Sequence, residues 1–248
     1  MADQSPTGFG PCLKNYLNNI SFSDAVIRCG NREFAIHRIV LCCHSEYFAK
    51  QLDGPWKESY ERAIEIVDFD VSLVEAMIYF TYHLNYDIPN GSSAMVFNAK
   101  MYQIADKYAM STLKTFAQGK FSTSIKQDWE EGEFPDTISL VYTSTPSTDR
   151  ELRDIAVITS LNNLSILIDR DDFKTELASN ADFAIDIIRF QGNESWNHQR
   201  YTCKSCQITF DTAKQETTAD FSHWLTYCPS CRCGGLDGPN AVKYNHTP

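Results

Sequence analysis

Cys203-Lys204-Ser205-Cys206 and Cys228-Pro229-Ser230-Cys231 are two Cys-x-x-Cys pairs with 21 residues between them. Each pair lets two thiolates approach one ion, with backbone amides turned toward the sulfurs. Two pairs complete a tetrahedron, and that chemistry is zinc binding. The spacing predicts a structural zinc held by Cys203, Cys206, Cys228 and Cys231, with Cys233 and His223 as possible substitutes and His198 also near in sequence. Four thiolates leave no open position for water, so hydrolytic chemistry is not expected there. A segment of about 40 residues has too little core to fold alone, so metal binding must supply the folding free energy.

The other four cysteines, Cys12, Cys29, Cys42 and Cys43, are scattered through the first fifth of the chain. The odd total of nine argues against a paired disulfide framework, and Cys-x-x-Cys spacing in a reducing compartment points to metal. Between the pairs, Gln207-Ile208-Thr209-Phe210 is a candidate strand, and Phe221, Trp224, Leu225 and Tyr227 form a small apolar set. The module, residues 198–233, resembles a zinc ribbon. The residues from 234 to 248 hold Gly, Pro and Asn without periodicity and are expected to be a flexible tail.

The 248-residue chain carries a net charge of −10. DNA affinity rests on Lys and Arg displacing counterions, so this balance argues against a phosphate-backbone binder. From 191 onward five basic residues face five acidic ones, with no basic stripe. No apolar run is long enough to span a bilayer, and the start lacks a basic and an apolar signal region. The protein is therefore expected inside the cell, in cytoplasm or nucleus, without a membrane partner.

Hydrophobic periodicity orders the rest. Residues 1–19 are a loose lead-in with a short helix near Leu13–Asn18. Ala25–Cys29 and Glu33–Ile36 flank Gly30-Asn31, a turn pair tolerant of positive φ, and predict a hairpin. His37–Leu52 has helical spacing and ends at Gly54-Pro55. Ala63–Val67 is a third strand. Ser72-x-x-Glu75 is a capping box opening a helix with Leu73, Val74, Met77 and Phe80 on one face. After Pro89-Asn90-Gly91, Ser92 or Ser93 caps a helix running to about Gln118. Residues 122–133 are polar and acidic, a linker. From 134 to 190 the pattern is helical: Phe134, Ile138, Val141 and Tyr142 form a stripe, Thr148-x-x-Glu151 is a second capping box, and Asn180 is a helix-ending residue in the left-handed region.

Residues 20–121 resemble a BTB/POZ domain. The likeness is carried by Ser23-Asp24-Ala25-Val26, by His37-x-x-x-Leu41-x-x-x-Ser45-x-x-Phe48, by Trp56-Lys57-Glu58-Ser59 and by Ala105-Asp106-Lys107-Tyr108, in that order. The segment 134–190 is similar to the helical extension found after BTB domains in many fungal proteins. The implied fold is α+β: a small sheet with helices, then a helical extension, then the zinc-bound β-rich module.

The resemblance implies protein–protein interaction, either with a second copy or with a cullin scaffold, for which the chain would choose the target of a ubiquitin ligase. In such adaptors a hydrophobic-x-Glu motif precedes a strand, and Trp56-Lys57-Glu58 fits it: an apolar anchor fills a pocket and a carboxylate fixes orientation. The lead-in shows no clear strand, which argues against a strand-exchanged dimer. An alternative is a nuclear regulator that oligomerises through the BTB domain and binds nucleic acid through the ribbon. No catalytic constellation stands out, and no enzyme activity is expected. His37 with Asp24 is better read as a helix anchor beside a strand start than as an acid–base pair. Cys42, Cys43 and His44 point in different directions on a helix and are read as packing. Tyr79, Phe80 and Tyr82 are read as core and rim.

Overall fold

Alternation over residues 25–36 produces the hairpin that seeds the sheet. In this computed structural model, which describes residues 12–55, 57–196, 198–203, 209–213 and 241–243, the chain divides into two units, Met1–Phe183 and Ala184–Pro248. In the first unit, after a short 3-10 turn at Lys14–Tyr16, β1 (Ala25–Cys29) pairs antiparallel with β2 (Arg32–Ile36). Ala25, Ile27 and Cys29 point inward on one face of β1. In the turn only Gly30 takes a positive φ, of 56°; Asn31 does not. β3 (Ala63–Glu65) joins β1 in parallel, with Ile27 opposite Ile64, so the sheet runs β2-β1-β3.

A parallel pair needs a crossover, and three short helices supply it: α1 (Arg38–His44), α2 (Glu46–Asp53) and α3 (Lys57–Glu61). The expected single helix over His37–Leu52 is thus broken at Ser45, whose φ of −145° is extended. The Ser45 hydroxyl accepts the Phe48 N–H at 3.0 Å and donates to the Tyr108 carbonyl at 2.5 Å. One side chain caps α2 and ties it to a residue far along the chain, which outweighs unbroken helical spacing. α2 ends at Gly54, as its Gly-Pro predicted.

α4 (Val71–His83) is buried nearly all round, including Leu73, Val74, Met77, Ile78 and Phe80, so it runs through the core rather than along its surface. The capping box expected at Ser72 and Glu75 does not form; Asp70 is the N-cap, without a side-chain bond. Glu75 instead accepts both Arg32 guanidinium nitrogens at 2.9 Å. α5 (Ala94–Lys107), capped by Ser93 through the Val96 N–H, and α6 (Ser111–Asp128) replace the single helix expected to Gln118. The break holds Ala109 at φ 49°, leaving its side chain outside the core. α6 also overruns the expected 122–133 linker, because Phe121, Ser124 and Ile125 are buried while the polar residues between them face solvent.

The helical stretch holds α7 (Phe134–Ser144), α8 (Glu151–Asn162), α9 (Leu164–Leu167), α10 (Asp171–Ser179) and α11 (Ala181–Trp196). The stripe Phe134, Ile138, Val141 and Tyr142 is buried as expected. Phe134 stacks on Phe173, and Tyr142 and Phe173 meet Phe183 edge to face. Arg153, 3% exposed, donates from Nε to Thr145 Oγ1 and from a terminal nitrogen to the Tyr142 and Thr145 carbonyls, with its guanidinium over the Tyr142 ring. Those bonds satisfy a buried cation that would otherwise be costly. No capping box forms at Thr148; Asp149 accepts the Glu151 N–H instead. Asn180 has φ −109°, not a left-handed value, and its side-chain Oδ1 accepts the Phe183 N–H at 3.2 Å. Its backbone N–H closes the previous helix on the Glu176 carbonyl at 2.9 Å while its side chain opens the next one.

In the second unit, β4 (His198–Cys203) lies between β5 (Thr209–Ala213) and β6 (Ala241–Lys243), both antiparallel to it. Thr209 and Phe210 of the expected strand open β5. β6 falls inside the stretch expected to be a flexible tail, with Ala241 opposite Cys203. Among the described residues no helix is long and apolar enough to cross a membrane.

Candidate protein-interaction surface

Asp24, His37, Leu41, Ser45 and Phe48, which carry part of the family resemblance, run from the start of β1 through the first two helices. Asp24 Oδ1 accepts the Arg38 N–H at 2.7 Å and so caps α1 from the start of β1. His37 occupies the N-cap position of α1 but makes no side-chain cap bond. Its backbone N–H donates to the Tyr82 hydroxyl at 3.1 Å, Nδ1 lies 2.8 Å from the same hydroxyl, and Nε2 lies 2.9 Å from the Ser21 carbonyl. A carbonyl only accepts, so the neutral ring carries its proton on Nε2 and Nδ1 accepts from Tyr82. Burial pushes the Tyr82 phenol above its ordinary value, against the opposing effect of the His37 N–H, so it stays a donor. His37 anchors the helix start as expected, its imidazole tying it to α4 and the lead-in, and Asp24, at the start of β1, adds the carboxylate that caps the helix.

Leu41, Ser45 and Phe48 are all buried. Phe48 stacks on Tyr108 with ring centres 4.8 Å apart, and Tyr47 meets the same ring at 5.2 Å. Burial raises the Tyr108 phenol to about 12, with Tyr47, Asp68 and Cys29 acting in the same direction. Phe69 closes on Tyr108 from the strand side, with its carbonyl taking the Cys29 thiol. This is a packed foundation, and what it presents outward matters for binding. Tyr47 is 40% exposed, Tyr60 79% and Val67 76%, all within the stretch 46–69. Glu58 lies within α3, not in a loop as expected, and is partly exposed, while Lys57 pairs with Glu61 at 3.5 Å. Trp56 lies outside the described residues.

Cys42 is partly exposed and Cys43 exposed, so the packing reading of that pair fails for Cys43, which sits on the solvent side of α1. Of the zinc candidates, Cys203 is the last residue of β4 and His198 its first. Cys206, Cys228, Cys231, Cys233 and His223 lie outside the described residues. Among the described residues no group of three or more His, Cys, Asp or Glu side chains gathers as a metal site.

The model of the BTB/POZ domain family matches residues 13–125. Residues 13–125 are a BTB/POZ domain. That range begins earlier and ends later than the 20–121 expected, taking in the lead-in turn and most of α6. Similar chains include an Arabidopsis thaliana ARM repeat protein interacting with ABF2, 33% identical over 144 residues, which are 56% of this chain and 20% of that protein. An Arabidopsis BTB/POZ domain-containing protein is 24% identical over 71% of this chain and 84% of its own length. Kelch-like protein 40 of Xenopus laevis is 27% identical over 113 residues, 45% of this chain and 18% of that protein. The chain therefore spans about a fifth of the length of the first and third of these relatives. Among solved structures, the BTB domain of human gigaxonin is 18% identical, covering 47% of this chain and 93% of its own, with a TM-score of 0.36. These relatives come from plant and vertebrate, and the fungal likeness of residues 134–190 stands on their sequence pattern alone.

Proposed function

We propose that the chain is a non-catalytic protein-interaction adaptor working inside the cell, whose BTB/POZ domain holds the cullin scaffold of a ubiquitin ligase while the parts after it engage the target. The observation that carries this reading is the Trp56-Lys57-Glu58 motif opening into α3, with Tyr60 and Val67 largely exposed nearby in sequence. Large exposed apolar side chains beside a carboxylate supply both an anchor and an orienting charge for a partner. The BTB/POZ family is one of protein-interaction domains, and the similarity to a Kelch-like protein fits an adaptor. Association with a second copy belongs to the same reading, since Ile20 and Phe22 of the lead-in are 85% and 83% exposed. The test is co-precipitation of a cullin by the full chain and by the Trp56→Ala, Glu58→Lys variant.

The C-terminal module is proposed to hold a structural zinc through Cys203, Cys206, Cys228 and Cys231. The spacing of the pairs supports it, and Cys203 closes β4 beside the pairing of Thr202 with Thr209. The balanced charge from 191 onward favours a protein contact for this module over the alternative of a nuclear regulator binding nucleic acid. A gel shift at stated salt separates the two.

A further inference from the structure

Thr148 caps no helix: the box that its spacing to Glu151 predicts does not form. It stands instead in the turn between α7 and α8. There the Asp149 N–H closes on the Pro146 carbonyl at 3.0 Å, which leaves Ser147 and Thr148 as the two central residues, both exposed. Acidic residues follow Thr148 at the next position, Asp149, and three positions on, Glu151. The Asp149 side chain is 12% exposed, whereas Glu151 is on the surface. Ser147 has Arg150 three positions on, so the same acidic spacing does not serve it.

The two carboxylates also hold a joint. Asp149 accepts the Tyr102 hydroxyl of α5, the Lys114 ammonium of α6 and the Glu151 N–H, while Glu151 reaches the same Tyr102 hydroxyl. These bonds fasten the start of α8 to the BTB/POZ domain. The cations beside them are committed: Lys114 is shared with Asp106, and Arg150 is paired with Asp154.

We propose that Thr148 is a phosphorylation site for an acid-directed protein kinase, and that its phosphate opens the joint between α5 and α8. Such a kinase reads a carboxylate near the accepting hydroxyl with basic side chains of its own, and Glu151 supplies it. Thr148 Oγ1 bonds to the γ-phosphorus of ATP, the bond from that phosphorus to ADP breaks, and the hydroxyl proton passes to the kinase's base. The product carries about −1.5 to −2 charge one residue from Asp149. A phosphate that draws Lys114 to itself takes it from Asp149, and one that does not repels Asp149. Both weaken the joint. The dipole of α8 offers little in return, because Glu151 and Asp154 already occupy its first turn and Asp149 already takes the Glu151 N–H. The inference goes beyond the adaptor reading and does not rest on it, since α3 and the Trp56 motif take no part.

The test treats the full chain with a purified acidophilic serine/threonine kinase of the casein-kinase type and Mg-ATP, maps phosphate by mass spectrometry and follows amide hydrogen exchange. Thr148 should be modified, and Glu151→Gln should slow its modification at least about tenfold. Tyr102→Phe, which loosens the joint but keeps both acids, should be modified at least as fast as wild type. The loss in Glu151→Gln then cannot be ascribed to a disturbed joint. Phosphorylation should speed exchange in the first turns of α8 at least about threefold, and in Tyr102→Phe it should add little to exchange that is already fast. Thr148→Ala, at an exposed position, should fold normally and show no change in α8 on treatment. An unmodified Thr148, equal rates for wild type and Glu151→Gln, or a modified Thr148 with unchanged or slower exchange in α8 overturns the proposal.

Discussion

The Tyr102 hydroxyl lies 2.8 Å from both carboxylate oxygens of Asp149, bonding a helix of the BTB/POZ domain to the segment that opens α8. Tyr102 is 1% exposed, and Glu151 reaches the same hydroxyl at 3.0 Å. Lys114 completes the set, bridging Asp106 at 2.6 Å and Asp149 at 2.9 Å. Burial and the two carboxylates drive the Tyr102 phenol far up, so it stays a donor throughout the accessible pH range. Burial alone would raise the Asp149 carboxyl, but the bonds from Lys114 and Tyr102 outweigh it and hold it below its ordinary value.

Tyr102→Phe should therefore cost about 1.5–3 kcal/mol, the range for a buried bond to a charged group. Urea unfolding at neutral pH measures it. A depressed folded-state pKa gives stability that is present above the unfolded value and lost as pH falls through the folded one. The stability gap between wild type and Asp149→Asn should be flat above about pH 5 and shrink below about pH 4. A gap that stays constant to acid would remove Asp149 from the clasp.

Ser45→Ala removes the cap of α2 and the link to Tyr108 together. A lost N-cap costs about 0.5–2 kcal/mol, and a second buried bond places the effect at the upper end. Thermal unfolding should show it, while Ser45→Thr, which keeps the hydroxyl, should retain most of the stability.

Asp24→Ala should cost about 1 kcal/mol through α1, the ordinary worth of a cap. Tyr82→Phe should cost about 1–3 kcal/mol, because it strips the acceptor of the buried His37 N–H. Hydrogen exchange distinguishes the two: the first substitution should loosen the amides at the start of α1, the second also those joining the lead-in to it.

These bonds explain what the sequence could and could not reveal. The hairpin was legible because strand alternation and the Gly30 turn are local signals. The breaks at Ser45 and Ala109 were not, since apolar spacing runs through both and the decision comes from contacts such as Ser45 to Tyr108. Both capping boxes failed for one reason: Glu75 is taken by Arg32 and Glu151 by Tyr102, partners far away in sequence. The 122–133 stretch looked like a linker because its polar residues outnumber Ser124 and Ile125, which alone face inward. The proposed interaction motif at Trp56, Lys57 and Glu58 was read from residue types alone, whereas the exposure of Tyr60 and Val67 comes from the fold.

The C-terminal cysteines make a separate prediction. Purified full chain should carry zinc near one ion per molecule by elemental emission, as a four-thiolate site requires. Cys203→Ser with Cys228→Ser should abolish it. A chelator should increase proteolysis after residue 198 and leave residues 13–125 protected. Zinc-free protein with a protease-resistant C-terminal module would refute the assignment.

The adaptor reading is tested most directly by quantitative affinity purification of the full chain and of its Trp56→Ala, Glu58→Lys variant, with thermal unfolding as the folding control. Cullin peptides should be enriched on the wild type and fall by at least about tenfold on the variant at unchanged Tm. Equal cullin recovery from the two would remove this motif from the interface, and no cullin on either would contradict the adaptor account itself.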